Sequence, residues 1–121
     1  MLLGLISMGR SRFSIQEKYY PYFITSTIVD GIPLFSDPKL AEILIEALKF
    51  IGQNSTVKIY GYVIMENHIH IVLESKDVSR VIQRLKSYTA KSVIKCLEEQ
   101  GRVLLLKKLR YHKKRHKTQS E

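Results

Sequence analysis

Residues 57–74 constrain the fold of this chain more than any other stretch. Residues 57–65 are rich in β-branched and aromatic side chains, which is strand composition. Glu66-Asn67 follows as a two-residue turn in which Asn tolerates positive φ, and residues 68–74 return as the partner strand. The hairpin sits between two stretches of helical period. Before it, Ser36-Asp37-Pro38 offers a capping side chain and then a proline where a missing N–H costs nothing. Leu40, Ile43, Leu44, Ala47, Leu48 and Ile51 follow at helical spacing until Gly52. After it, a helix is predicted over residues 77–100, with Val78, Val81, Ile82, Leu85, Val93 and Cys96 on its core face and Gly101 as its stop.

Upstream, residues 19–29 carry Tyr20, Phe23, Ile24, Thr25, Thr27, Ile28 and Val29, again strand composition, closed by the turn chemistry of Asp30-Gly31-Ile32-Pro33. The order strand, helix, strand, strand, helix supplies the first five elements of a ferredoxin-like α+β fold, an antiparallel sheet with two helices packed on one face. Its fourth strand is uncertain or missing, and Val103-Leu104-Leu105-Leu106 is the only candidate. The expected organisation is an N-terminal tail over residues 1–18, one domain over 19–106, and a basic tail over 107–121.

With 121 residues there is material for one domain and one modest core. Cys96 is the only cysteine, so no internal disulfide or cysteine-rich zinc site is available, and a buried inert thiol is expected. There is no apolar run of spanning length and no secretory signal, so we expect a cytoplasmic protein without a membrane partner. Twenty Lys and Arg against 11 Asp and Glu give a net charge of +9, which favours polyanionic partners through counterion release. Arg80, Arg84, Ser87, Lys91 and Lys95 form a polar stripe on the second helix, either a solvated face or a phosphate track. Residues 107–117 hold Lys113, Lys114 and Arg115 in a basic run that would anchor any nucleic acid. Tyr111 lies in that run, as a base-stacking side chain or an exposed one.

Two side chains stand out chemically. Strand residues two apart share a face, roughly 6.6–6.8 Å apart, so His68 and His70 project side by side while Ile69 and Ile71 point away. Two imidazoles so placed can share one divalent cation and leave room for a phosphate oxygen and water. They can equally be two unrelated strand histidines.

The segment Gly61-Tyr62-Val63-Ile64-Met65-Glu66-Asn67-His68-Ile69-His70-Ile71-Val72-Leu73 resembles the hairpin of the single-tyrosine HUH transposases, in particular the REP-associated tyrosine transposases and those of small insertion sequences. In that family two histidines flank one hydrophobic residue, as His68 and His70 flank Ile69. A Pro-Asn pair commonly precedes them, where this chain has Glu66-Asn67. Tyr22-Phe23-Ile24-Thr25-Ser26-Thr27 is similar to the family's opening strand, and Leu85-Lys86-Ser87-Tyr88-Thr89-Ala90-Lys91 to part of its second helix.

The resemblance implies DNA transposition on single-stranded or hairpin DNA, assisted by Mg²⁺ or Mn²⁺. It also implies a tyrosine hydroxyl that attacks a phosphodiester to leave a 5′-phosphotyrosine and a free 3′-OH, and a homodimer. The metal is expected at His68 and His70; Arg84, Lys86, Lys91, Lys113, Lys114 and Arg115 are the expected DNA contacts. The family's nucleophile lies in a later segment reading roughly Tyr-Ile-x-x-Asn-Pro or Tyr-x-x-x-Gln, which this chain lacks. We therefore expect a chain cut off before its catalytic helix, with the third metal ligand in the missing piece. Tyr88 is the long-shot substitute, its position otherwise suited to packing or a DNA contact. The rival readings are a non-catalytic DNA-binding remnant and an RNA-binding ferredoxin-like module that would stack bases on Tyr60 and Tyr62.

Overall fold

The structure is a computed structural model that describes residues 6–8 and 20–119, with side chains described over 20–111. Its elements are β1 (Ile6–Met8), β2 (Tyr22–Ile28), α1 (Pro38–Gly52), β3 (Val57–Ile64), β4 (His68–Ser75), α2 (Val78–Glu99) and α3 (Val103–Gln119), with 3-10 turns at Val29–Gly31 and Leu34–Ser36. The strands form one antiparallel sheet in the order β1-β2-β4-β3. This is the expected α+β class.

Local chemistry sets the boundaries. Asp37 caps α1 by accepting from the Lys39 N–H at 3.0 Å, and Pro38 takes the first helical position. Asp77 caps α2 by accepting from the Arg80 N–H at 3.1 Å. At the other end of α2, Gly101 has φ +67°, its N–H bonds to the Glu98 carbonyl, and the Arg102 N–H bonds to the Leu97 carbonyl. That pair of bonds is a Schellman cap, which glycine satisfies without the Cβ penalty.

One face of the sheet is buried. Ile24, Ser26 and Ile28 of β2 and Ile69, Ile71, Leu73 and Ser75 of β4 point into the helical layer, where Leu40, Leu44, Ile82, Val93 and Leu97 complete the core. The alternate residues are all partly or well exposed and form the opposite, open face. The register puts Thr27 opposite His68, Thr25 opposite His70, Phe23 opposite Val72, and Val63 of β3 opposite His70.

Three expectations are corrected. The segment 103–106 is not a strand but the start of α3, which also crosses the boundary expected at residue 107. Leu and Lys are strong helix formers, and Leu106 and Leu109, three residues apart, both bury against the body while Leu104 stays 83% exposed. The strand beside β2 comes from within the expected N-terminal tail: Ile6, Ser7 and Met8 pair with Ile28, Thr27 and Ser26. Third, the Glu66-Asn67 turn forms, closed by a bond from the Met65 N–H to the His68 carbonyl at 2.7 Å, but without positive φ. Among the described non-glycine residues only Asp30, in the turn after β2, has positive φ.

Candidate metal and nucleic-acid site

His68 and His70 stand side by side on the open face, ring centroids 4.8 Å apart and planes at 79°. Ile69 between them is buried, so the alternation of β4 is what aims both imidazoles outward. Each ring is held by its Nδ1. His68 Nδ1 lies 2.7 Å from Asn67 Oδ1, and the Asn67 amide is oriented by its Nδ2 donating to the Gly31 carbonyl at 3.5 Å. An amide oxygen only accepts, so His68 carries its proton on Nδ1 and its lone pair on Nε2. His70 Nδ1 lies 2.9 Å from the Thr25 hydroxyl on the neighbouring strand. The threonine hydroxyl, which can donate or accept, gives His70 the same tautomer as His68 when it accepts. This arrangement, one ring nitrogen tied to a protein acceptor and the other left as a lone pair, is what metal-ligating histidines require.

The backbone fixes the turn that presents the pair. Ile28 N–H bonds to the Asn67 carbonyl and Phe35 N–H to the Glu66 carbonyl, both at 2.8 Å. The chain after β2 therefore clamps the hairpin from the side. Phe23 stacks on the His70 ring at 5.4 Å with planes 21° apart. Among the described residues no group of three histidines, cysteines or carboxylates could hold a metal ion. Two imidazoles side by side could supply two ligands to a divalent ion, the rest having to come from water or a phosphate oxygen.

The other residues singled out from the sequence are not gathered here. Tyr88 stacks on Phe50 at 5.5 Å with planes 12° apart, on the helical layer and across the sheet from the histidines. Arg84 and Lys91 are exposed on α2, in the stripe with Arg80 and Lys95, and none of the four has an ion-pair partner among the described residues. Lys86 is separated from that stripe. It is half-buried, four residues from Ile82 and from Ala90, both buried, and burial pushes its ammonium down from 10.5 to about 8. Lys113, Lys114 and Arg115 belong to α3, and their side chains lie outside the described residues. Tyr111 is on α3 and 63% exposed. Helix α3 packs against α2 and against the Val29–Gly31 turn, so its base adjoins the turn that receives Asn67.

Tyr60 and Tyr62 do not make a stacking platform together. They lie on an edge strand, and a bulge between Ile59 and Gly61 breaks the alternation. Tyr62 pairs with Ile71 of the buried face, whereas the Tyr60 hydroxyl reaches Glu74 on the open face at 3.4 Å. Cys96 is half-buried against the core rather than fully enclosed. Thr25 and Phe23, which hold and flank His70, escaped the sequence reading. Strand alternation puts them on one face of β2, but only the register says that this face meets the histidines.

No helix among the described residues is long and apolar enough to cross a membrane. Comparison with known families gives one match: a family model described as Transposase IS200 like covers residues 31–115 of the 121. No curated protein and no solved structure matches the chain.

Proposed function

The chain belongs to the IS200-like transposase family, and from that premise we propose that its open sheet face receives a single-stranded or hairpin DNA for cutting and rejoining. His68 and His70 would hold Mg²⁺ or Mn²⁺. When bound, the ion would polarise the scissile phosphodiester and offset the charge that develops on its oxygens. Imidazole pairs alone suit zinc equally well, so the harder metal follows from the family rather than from the ligands.

The protein's own groups orient the site. Asn67 and Thr25 hold the ring directions of the two histidines through their Nδ1 atoms, and the buried Ile69 between them keeps them on one face. In the cutting reaction a tyrosine hydroxyl displaces the 3′ oxygen and leaves a 5′-phosphotyrosine whose stored bond permits rejoining; neither Tyr-Ile-x-x-Asn-Pro nor Tyr-x-x-x-Gln, the segments expected to carry that tyrosine, occurs in residues 1–121. DNA is attracted by Arg84 and Lys91 on the helical layer and by Lys113, Lys114 and Arg115 of α3. The working form is a homodimer in the cytoplasm.

The observation that carries this reading is the outward pair of imidazoles, each with Nδ1 bonded and Nε2 without a partner among the described residues. A second reading, DNA binding without turnover, is supported by the position of Tyr88 across the sheet from the pair. Incubating labelled hairpin DNA with the protein and Mn²⁺ separates them. A covalent protein–DNA adduct that disappears in His68→Ala establishes the transferase, and binding with no adduct establishes the second reading. Failure to bind single-stranded or hairpin DNA at all refutes both.

A further inference from the structure

The open face carries apolar surface that neither the metal pair nor the fold accounts for. Phe23 is 64% exposed near the start of β2, although Ile24 beside it is enclosed. One side of its ring lies against His70, at 5.4 Å and 21° from parallel. Val72 stands opposite it, and Val63 beside His70 is 55% exposed. An aromatic ring backed on one side and open on the other is a stacking surface for a second flat π-system. The adjoining imidazoles address phosphate chemistry, and the protein carries +9. The flat ligand that comes attached to a phosphate is a nucleobase.

We propose that Phe23 is a base-stacking platform: it takes the nucleobase of the nucleotide whose phosphate is presented to His68 and His70. This rests on the DNA reading of the same face and adds how that strand is held in register. Every base has a π-face, so the platform would be tolerant of sequence and would demand an unpaired strand. It distinguishes single strands from duplex, in which bases are already stacked on one another. His70 then has two neighbours with different tasks, Thr25 bonding its Nδ1 in the ring plane and Phe23 covering its face.

The test is fluorescence anisotropy with labelled single-stranded oligonucleotides, either intact or with one abasic site moved along the strand. Wild-type protein, Phe23→Ala and Phe23→Tyr are compared. Phe23 is exposed, so neither substitution removes a core contact. Stacking of one base predicts binding weakened about 5-fold or more in Phe23→Ala and largely retained in Phe23→Tyr. It also predicts one abasic position that weakens wild-type binding by a similar factor and costs nothing further in Phe23→Ala, the signature of a coupled pair. If wild type binds and Phe23→Ala binds equally well, the platform is refuted while the DNA site stands. The same holds if the abasic penalty is unchanged in Phe23→Ala. If wild type binds no single strand, the DNA reading of this face fails and the platform falls with it.

Discussion

Replacing Lys86 by methionine should stabilise the protein at pH 7 and do so less as the pH rises. Burial pushes the Lys86 ammonium from 10.5 down to about 8. It sits between the buried Ile82 and Ala90 with no carboxylate partner among the described residues. Below about pH 8 the lysine is charged in both the folded and the unfolded chain, and the folded state bears the full desolvation cost. Between about 8 and 10.5 the unfolded chain binds more protons than the folded one, so stability rises with pH; above 10.5 the cost is gone. A difference of that size corresponds to about 3 kcal/mol for a fully enclosed group. Lys86 is only half-buried, and solvent screening reduces the effect to roughly 1–2 kcal/mol. Methionine keeps an unbranched stem for packing and removes the charge. Urea unfolding of both proteins at pH 7 and pH 10 reads the difference, any other titration being common to the two. An equal stability difference at both pH values, or a variant less stable than wild type at pH 7, refutes the argument.

The remaining predictions concern the site and the caps. Asn67→Ala or Thr25→Val should leave the fold intact and weaken Mn²⁺ binding 10- to 100-fold, measured by calorimetry, because each frees one imidazole to turn. Unchanged affinity in both would show that the held Nδ1 atoms are irrelevant to metal. Thr89 is 1% exposed and its hydroxyl has no partner among the described residues, so Thr89→Val should raise the denaturation midpoint by about 1 kcal/mol of stability. Asp37→Ala should cost about 1–2 kcal/mol in thermal unfolding, mostly as lost helix capping. Its ion pair with Arg102 at 3.0 Å is partly exposed, so Arg102→Ala should cost less than 1 kcal/mol.

What was legible in the sequence is what short-range chemistry decides. Asp37-Pro38, Asp77 and Gly101 mark helix ends because caps act within a few residues of themselves. The shared direction of His68 and His70 needs only the period of a strand. Partners chosen by register were not legible: Thr25 meets His70 across 45 residues of sequence. Three-residue β1 is too short to show any period. Val103 followed by three leucines reads as a strand by hydrophobicity, yet leucine favours helix, and the Gly101 cap restarts the chain in a helical direction. Lys86 was expected among the DNA contacts, whereas it is half-buried on α2 between Ile82 and Ala90, which only the packing of the helix reveals. The bulge that divides Tyr60 from Tyr62 left no mark in composition.

Strand β1 also bears on the order in which the sheet can assemble. In a complete β-α-β-β-α-β unit the last strand lies beside the first, and the sheet waits for the end of the chain. Here Ile6 meets Ile28, so that edge is closed by segments made early and close together in sequence. Loop-closure entropy grows with the length of the loop, and contacts of short separation form faster. During synthesis the β1–β2 edge can form before β4 has emerged, and the growing chain then adds β3 and β4 to a surface already paired on its outer side. With β1 beside β2, the segment after α2 is not needed in the sheet, and it forms the basic helix α3 instead.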